Sequence, residues 1–262
     1  MITVREIAQA IEEFAPLSLQ ESYDNPGLQV GDPDMPVSAV LLCLDVTEEI
    51  LREAEQRECN MIVSHHPLIF RGLKNLTGEN QTQRIAIQAL RKNIAIYAAH
   101  TNLDSTVEGV SYEMAHSLNL KDIRTLCPVE GADGPGLGVI GHTPSPVPSL
   151  EFLRKVKETF NVSDLRYSAD SPQLVVRTVA LCGGSGASFI KDAIRNHADI
   201  YISGDIKYHD YTTYGSEIIV ADIGHYESEL CSRKILSRII REAFPDCVAF
   251  FSEREANPIK IM

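Results

Sequence analysis

Val40-Leu41-Leu42-Cys43 recurs as Val179-Ala180-Leu181-Cys182. With that offset of 139 residues held without a gap, Leu51 falls on Ile190, Ala54 on Ala193, Asn60 on Asp199, Met61-Ile62-Val63 on Ile200-Tyr201-Ile202 and Ser64 on Ser203. Each copy reads as an apolar run of strand length, a helical segment and a second apolar run ending in serine. Each is then followed by one more apolar run, at residues 94–99 in the first copy and 217–221 in the second. Continuous apolar runs of this length suit parallel strands buried on both faces. Strands alternating with helices make the fold class α/β. The repeat makes it two related α/β domains, an internal duplication whose site is expected between them at the strand carboxyl ends.

Outward from this core, Thr3 with Glu6 three residues on is a capping box, and Val4, Ile7, Ala8, Ile11 and Phe14 share one helical face. A helix therefore opens the chain and stops at Pro16. Helices are also expected over residues 47–57 and 81–92. The segment from Pro128 to Pro148 is rich in Gly and Pro and reads as loop, one short strand and loop before a helix capped at Ser149. The domain limits follow as 1–126 with 222–262 for the first domain and 127–221 for the second.

The 262 residues are ample for two modest domains, and 44% hydrophobic with 23% charged residues is the balance of an ordinary globular chain. With 24 basic against 36 acidic residues the net charge is −12, so the chain repels phosphate backbones and nucleic acid is not an expected partner. Six cysteines lie far apart with no C-x-x-C, which excludes a zinc knuckle or redox motif and suits reduced thiols. No apolar run approaches the roughly 20 residues that span a bilayer, and acids interrupt the first segment where a signal peptide would be apolar. A cytoplasmic protein without membrane contact is expected.

The strand ends carry the chemistry. Ser64-His65-His66-Pro67 follows the second apolar run of the first copy, His100-Thr101-Asn102-Leu103-Asp104 follows the third, and Asp222-Ile223-Gly224-His225-Tyr226-Glu227-Ser228-Glu229 closes the last strand. His100 and Asp104, like His225 and Glu229, stand four residues apart, a spacing that on a helix sets imidazole and carboxylate on one face about 5–6 Å apart. Lone histidines at strand ends usually serve structure, but three such coincidences point to metal. Nitrogen and oxygen donors without thiolate suit Zn, Mn, Fe, Co or Ni. On a turn fixed by Pro67, His65 and His66 are free to address one ion each, and Asp104 with Glu229 then leaves a pair of divalent ions net positive. That is the electrostatics of two-metal hydrolysis.

Asp24-Asn25-Pro26-Gly27-Leu28-Gln29-Val30-Gly31, the His65-His66 turn, His100–Asp104, Leu181-Cys182-Gly183-Gly184-Ser185-Gly186 and Asp222–Glu229, in that order, resemble the GTP cyclohydrolase 1 type 2 homologue family, the NIF-three-like proteins. Tyr23 stands where many members have Trp, and the chain is too short for the extra domain of longer members. The resemblance implies a dinuclear metal centre on His65, His66, Asp104, His225 and Glu229, two divalent ions per chain, and a ring-shaped homohexamer with the site facing its cavity. It also suggests a hydrolase or cyclohydrolase-like activity on a nucleotide such as GTP. In such a mechanism His100 or His209 would move the proton, His100 reading equally as a structural histidine bonded to a strand-end carbonyl. The alternative is a non-catalytic metal-binding scaffold. Lys207, beside His209, could offer a charge to a substrate phosphate, although an exposed lysine is usually only a solvated one. Gly183–Gly186 has the composition of a phosphate-cradling loop, although a tight strand-to-helix turn also needs glycine, and Asp24 with Asn25 reads as fixing its own loop.

Overall fold

A computed structural model describes residues 2–129, 131, 134–168 and 174–262. In chain order the elements are α1 (Val4–Phe14), β1 (Gly27–Val30), β2 (Val40–Cys43), α2 (Glu48–Gln56), β3 (Met61–Ser64), α3 (Gln81–Arg91), β4 (Ala95–Ala98), α4 (Thr101–Ser105), α5 (Val110–Ser117), β5 (Lys121–Pro128), β6 (Gly136–Pro148), α6 (Ser149–Thr159), β7 (Arg166–Tyr167), β8 (Val175–Ser185), α7 (Ile190–Arg195), β9 (Ile200–Gly204), α8 (Tyr208–Tyr214), β10 (Ile219–Asp222), α9 (His225–Glu229), α10 (Ser232–Ala243) and β11 (Ala249–Phe251). They form two compact units, residues 1–103 with 232–256 and residues 104–231 with 257–262. The limits expected from sequence, 126/127 and 221/222, fall inside β5 and β10, strands of the second unit.

The first unit holds a five-stranded sheet in the order β1-β4-β3-β2-β11, in which β11, β2, β3 and β4 run parallel and β1 is antiparallel at the edge. Every residue of β2, β3 and β4 is buried, as strands covered on both faces must be. On one face Leu41, Ile62 and Ile96 pack with Ile50 and Leu51 of α2 and with Ile85, Ala86 and Ala89 of α3. The capping box at Thr3 forms as read: its hydroxyl accepts from Glu6 N–H, and Glu6 Oε2 accepts from Thr3 N–H at 2.8 Å.

The second unit holds six strands in the order β5-β6-β8-β9-β10-β7. β8, β9 and β10 are parallel, while β5 and β6 add antiparallel strands on one side and β7 on the other. Its core joins Ala180, Tyr201 and Val220 of the sheet to Ile190 and Ala193 of α7. The two α/β sheets bear out the fold class, and the ladders carry the repeat in detail. Leu42 faces Val63 as Leu181 faces Ile202, each pair 139 residues from its counterpart. The likeness extends beyond the segment read from sequence, since β1-β4-β3-β2 matches β7-β10-β9-β8 in order and direction.

One expectation is corrected. Between Pro128 and Pro148 the chain forms β6, thirteen residues long and paired with both β5 and β8, rather than one short strand. Two of its prolines escape the ladder: the β6–β8 register breaks between His142 and Val147, which frees Pro144 and Pro146 from donating, while Pro148 sits opposite Val175 as the last residue of the strand. Residues 130, 132 and 133 of this connection lie outside the described residues. Ser149 is the first helical residue of α6 rather than its cap, and its N–H donates to Leu174 O at 3.0 Å.

Candidate metal centre

In the first unit, β3 ends at Ser64 and the next two amides continue its pairing, His65 N–H donating to Cys43 O and His66 N–H to Leu44 O. The Ser64 hydroxyl donates to His66 O at 2.8 Å and closes the turn. Three imidazoles gather there: ring centroids lie 5.2 Å apart for His65 and His66 and 5.4 Å from each of these to His100. Each has Nδ1 against an oxygen. His65 Nδ1 is 2.7 Å from Ala99 O, His66 Nδ1 2.8 Å from Asp45 Oδ1, and His100 Nδ1 2.7 Å from Asp24 Oδ1. A carbonyl only accepts, so His65 carries its proton on Nδ1 and keeps a lone pair on Nε2, the form that ligates metal. The carboxylates of Asp45 and Asp24 impose the same tautomer on neutral His66 and His100.

Asp24 does more than fix its own loop. Burial pushes its carboxyl up, but hydrogen bonds from His100 and from the N–H (3.0 Å) and hydroxyl of Thr101 outweigh this and hold it well below the usual carboxylate range. It stays ionised as the partner of His100.

In the second unit, α9 starts at His225 and ends at Glu229, so the i, i+4 spacing forms as read, with His225 Nε2 2.9 Å from Glu229 Oε2. Ligands held 2.0–2.1 Å from one ion at right angles would be about 2.9 Å apart, so the pair already has the spacing of a chelate. His225 Nδ1 is 2.8 Å from Asp205 Oδ2, the arrangement seen at His66 and His100. The buried Asp222 pins both loops: Oδ2 accepts from Ile206 N–H at 3.2 Å and from Arg166 at 2.6 Å, and Oδ1 accepts from Gly224 N–H at 2.9 Å. Two glycines make the room. A Cβ on Gly204 would stand 2.7 Å from His225 N, and one on Gly184, which has φ +63°, would stand 2.0 Å from Glu229 Oε1.

Asp104 lies half-buried in α4. Burial, then the charges of Asp104 and Glu229, push the Cys182 thiol well up, so both carboxylates act on the end of β8 while the thiol stays neutral. Burial likewise raises the thiols of Cys43, Cys59, Cys127 and Cys247.

The two His-x-x-x-acid pairs share their spacing but not their place in the repeat: Ala98 pairs with Ser64 as Asp222 pairs with Ser203, so His100 corresponds to Gly224 and His225 to Thr101. His100 accordingly precedes α4 and turns to Asp24. His209 is exposed on α8 with its ring edge-on to Tyr208 at 5.4 Å. Lys207 is exposed at the start of the same helix. The Gly183–Gly186 turn spends its amides on serines, Gly183 N–H donating to Ser111 Oγ at 3.2 Å, Gly184 N–H to Ser228 Oγ at 2.9 Å and Gly186 N–H to Ser203 Oγ at 3.0 Å, which makes it structural. Asp45 and Asp205, which partner His66 and His225, are not among the residues expected from sequence. One signal for Asp205 was present, because the 139-residue offset sets it on His66.

The residues fit a divalent metal: the imidazoles are oriented through Nδ1 and the donors are imidazole and carboxylate. The chain's relatives agree on the family. The model of Duf34/NIF3 (NGG1p interacting factor 3) matches residues 2–258. A GTP cyclohydrolase 1 type 2 homolog of Clostridium perfringens is 34% identical over 259 residues, 97% of each chain, and one of Clostridium acetobutylicum is 33% identical over 92% of this chain and 91% of that one. Among solved structures, Staphylococcus aureus protein SA1388 superposes with a TM-score of 0.89 at 25% identity over 100% of this chain and 99% of that one. Reduced HcgD from Methanocaldococcus jannaschii superposes at 0.79 and 27%, over 96% and 98%. With the family model spanning nearly the whole chain, the protein belongs to the Duf34/NIF3 family.

Proposed function

We propose that this protein is a metal-dependent hydrolase of the cyclohydrolase kind that acts on a nucleotide such as GTP and binds two divalent ions through His65, His66, Asp104, His225 and Glu229. The observation that carries the reading is the common orientation of the strand-end imidazoles, each with Nδ1 against a carboxylate or carbonyl oxygen. Proteins orient metal-ligating histidines in this way, and loosening such a partner typically costs 10–100-fold in affinity or activity. When bound, a pair of divalent ions supplies Lewis-acid polarisation of substrate oxygens and makes water more acidic.

The chain's own residues complete the chemistry. Asp24 holds His100 with its proton on Nδ1 and stabilises the imidazolium that forms when Nε2 takes a second proton, the logic of a carboxylate behind a general base. His100 therefore takes the proton-moving role ahead of His209, whose exposed ring rests on Tyr208. The names of the relatives as homologs of a GTP cyclohydrolase support the substrate class. The reading sets the protein in the cytoplasm as a ring-shaped homohexamer. Six free cysteines suit a reducing compartment, and among the described residues no helix is long and apolar enough to cross a membrane.

The test is release of product from GTP and a nucleotide panel by metal-loaded wild type, His65→Ala and His100→Ala. The reading expects turnover by wild type, inhibition by phosphate, loss of metal and turnover together in His65→Ala, and loss of turnover with metal retained in His100→Ala. Bound metal with no turnover of any nucleotide by wild type would reject the hydrolase in favour of the scaffold.

A further inference from the structure

The loop after the His65-His66-Pro67 turn has a composition that metal binding does not use. Its start is pinned to the Asp24–Gln29 segment, Asn25 Nδ2 donating to Ile69 O at 2.6 Å and Ile69 N–H to Gln29 Oε1 at 3.1 Å. This holds Phe70 with its ring centroid 6.4 Å from that of Tyr23 and 6.2 Å, edge-on, from that of His100. Tyr23 is 63% exposed and Phe70 43%. Two neighbouring aromatic rings are thus left open to water beside a candidate proton carrier, an exposed apolar surface rather than core.

Phe70 also lines a cavity of about 430 Å³, whose rim carries Arg71 and Lys74 with Glu79 as an acid. That volume lies in the range of small-molecule sites. Hydrogen bonds tie part of its lining together: the buried Gln83 accepts from the amides of Gly78 and Glu79, both at 2.9 Å, and its Nε2 donates to Asn75 Oδ1 at 2.7 Å. Among the described residues neither Arg71 nor Lys74 enters a salt bridge, although the chain carries an excess of twelve acids.

The geometry points to a ligand subsite on this loop, in which Phe70 and Tyr23 stack the base of a nucleoside phosphate and Arg71 and Lys74 take its phosphates. The inference rests on the nucleotide reading above and adds the residues that would recognise the substrate. A ring held between two others needs about 7 Å from centre to centre of the outer pair, at roughly 3.5 Å per contact. At 6.4 Å and a 56° tilt Tyr23 and Phe70 leave no slot, so the base lies on their outer surface. Stacking of that kind tolerates any base, and the cations select for the charge of the phosphates.

Isothermal titration of the metal-loaded full chain with GTP, guanosine and inorganic triphosphate separates the parts. Phe70→Ala should weaken GTP and guanosine roughly ten-fold and leave triphosphate unchanged. Arg71→Ala with Lys74→Ala should weaken GTP and triphosphate by roughly ten-fold or more and leave guanosine unchanged. Phe70→Leu, which keeps an apolar side chain without a π face, should behave as Phe70→Ala. Absence of GTP binding by wild type, unchanged GTP and guanosine binding in Phe70→Ala, or a change of oligomeric state alone would each overturn the subsite. Metal content and turnover read on the same samples separate it from the hydrolase reading. Ring and phosphate binding lost as described, with no turnover by wild type, keeps the subsite and rejects the hydrolase. Turnover by wild type that Phe70→Ala shares, with unchanged binding, does the reverse.

Discussion

Replacing Gly184 by alanine adds one methyl group where the structure has no room for it. The new Cβ would sit 2.0 Å from Glu229 Oε1, 3.0 Å from its Cδ and 3.5 Å from His225 Cε1, on a backbone with φ +63°. Holding alanine in the left-handed region costs about 1–2 kcal/mol. The clash adds to this, because ordinary contact begins near 3.4 Å and the carboxylate must retreat by about 1.4 Å. Glu229 is 3% exposed on a short helix, so it has little space to retreat within its well. Its head is still the most movable atom nearby, so the 2.9 Å spacing to His225 Nε2 is what gives way. Two effects follow from one methyl group. Urea unfolding without metal should show a loss of about 1–3 kcal/mol at unchanged m-value. Competition against a chromophoric chelator should show metal affinity reduced by at least the 10–100-fold that follows from disturbing a ligand's support. Gly72→Ala, where a Cβ meets nothing within 4 Å, should change neither. A Gly184→Ala protein with wild-type stability and wild-type metal affinity would refute the description of this site.

Asp45→Asn and Asp205→Asn remove the charge behind His66 and His225, and each should weaken metal binding roughly 10–100-fold in the same competition assay while leaving the fold intact. Asp24, held below the usual carboxylate range in the fold, contributes stability that is present above its unfolded pKa of about 3.9 and is lost as pH falls through and below that value. Asp24→Asn should therefore flatten the acid limb of stability against pH, measured by chemical denaturation at a series of pH values. Glu53, 3% exposed, accepts from Ser252 Oγ, Glu253 N–H at 2.9 Å and Arg254 N–H at 3.2 Å and pairs with Arg57 at 3.0 Å. Glu53→Ala strands these donors and should cost about 2–4 kcal/mol in urea unfolding, with Glu53→Gln costing less.

The parallel strands were legible in the sequence because burial on both faces leaves no polar position in β2, β3 or β4, and a run without polar residues is visible without any partner. The 139-residue offset carries from β1 opposite β7 through β9, then fails because the first copy is longer between β3 and β4. That added length includes the loop bearing Phe70, Arg71 and Lys74, so the region that departs from the repeat is also the one with its own chemistry. β6 was hidden because glycine and proline signal turns, whereas here Pro144 and Pro146 occupy a register break that only the partner strand reveals. β11, at three residues, is too short to show a period.

The ligand candidates were legible for a related reason: strand ends can be located from apolar runs, and His65, His66, His225 and Glu229 follow them directly. Their supports were not. Asp24 meets His100 across 76 residues, and Asp45 meets His66 across 21, pairings made by the sheet order and not by any local spacing. The equal spacing of His100 to Asp104 and of His225 to Glu229 does not follow from the repeat, because the ladder register sets the two pairs at different positions. An i, i+4 pair can be counted in a sequence, but whether both members lie on the helix depends on where the strand before it ends.

Metal content tests the central claim most directly. Elemental analysis of the purified chain after loading with a divalent metal and removal of the excess should find about two ions per chain in wild type and fewer in His65→Ala and Glu229→Gln, with both variants still folded by circular dichroism. Wild type that retains no divalent metal, or variants that retain as much as wild type, would contradict it.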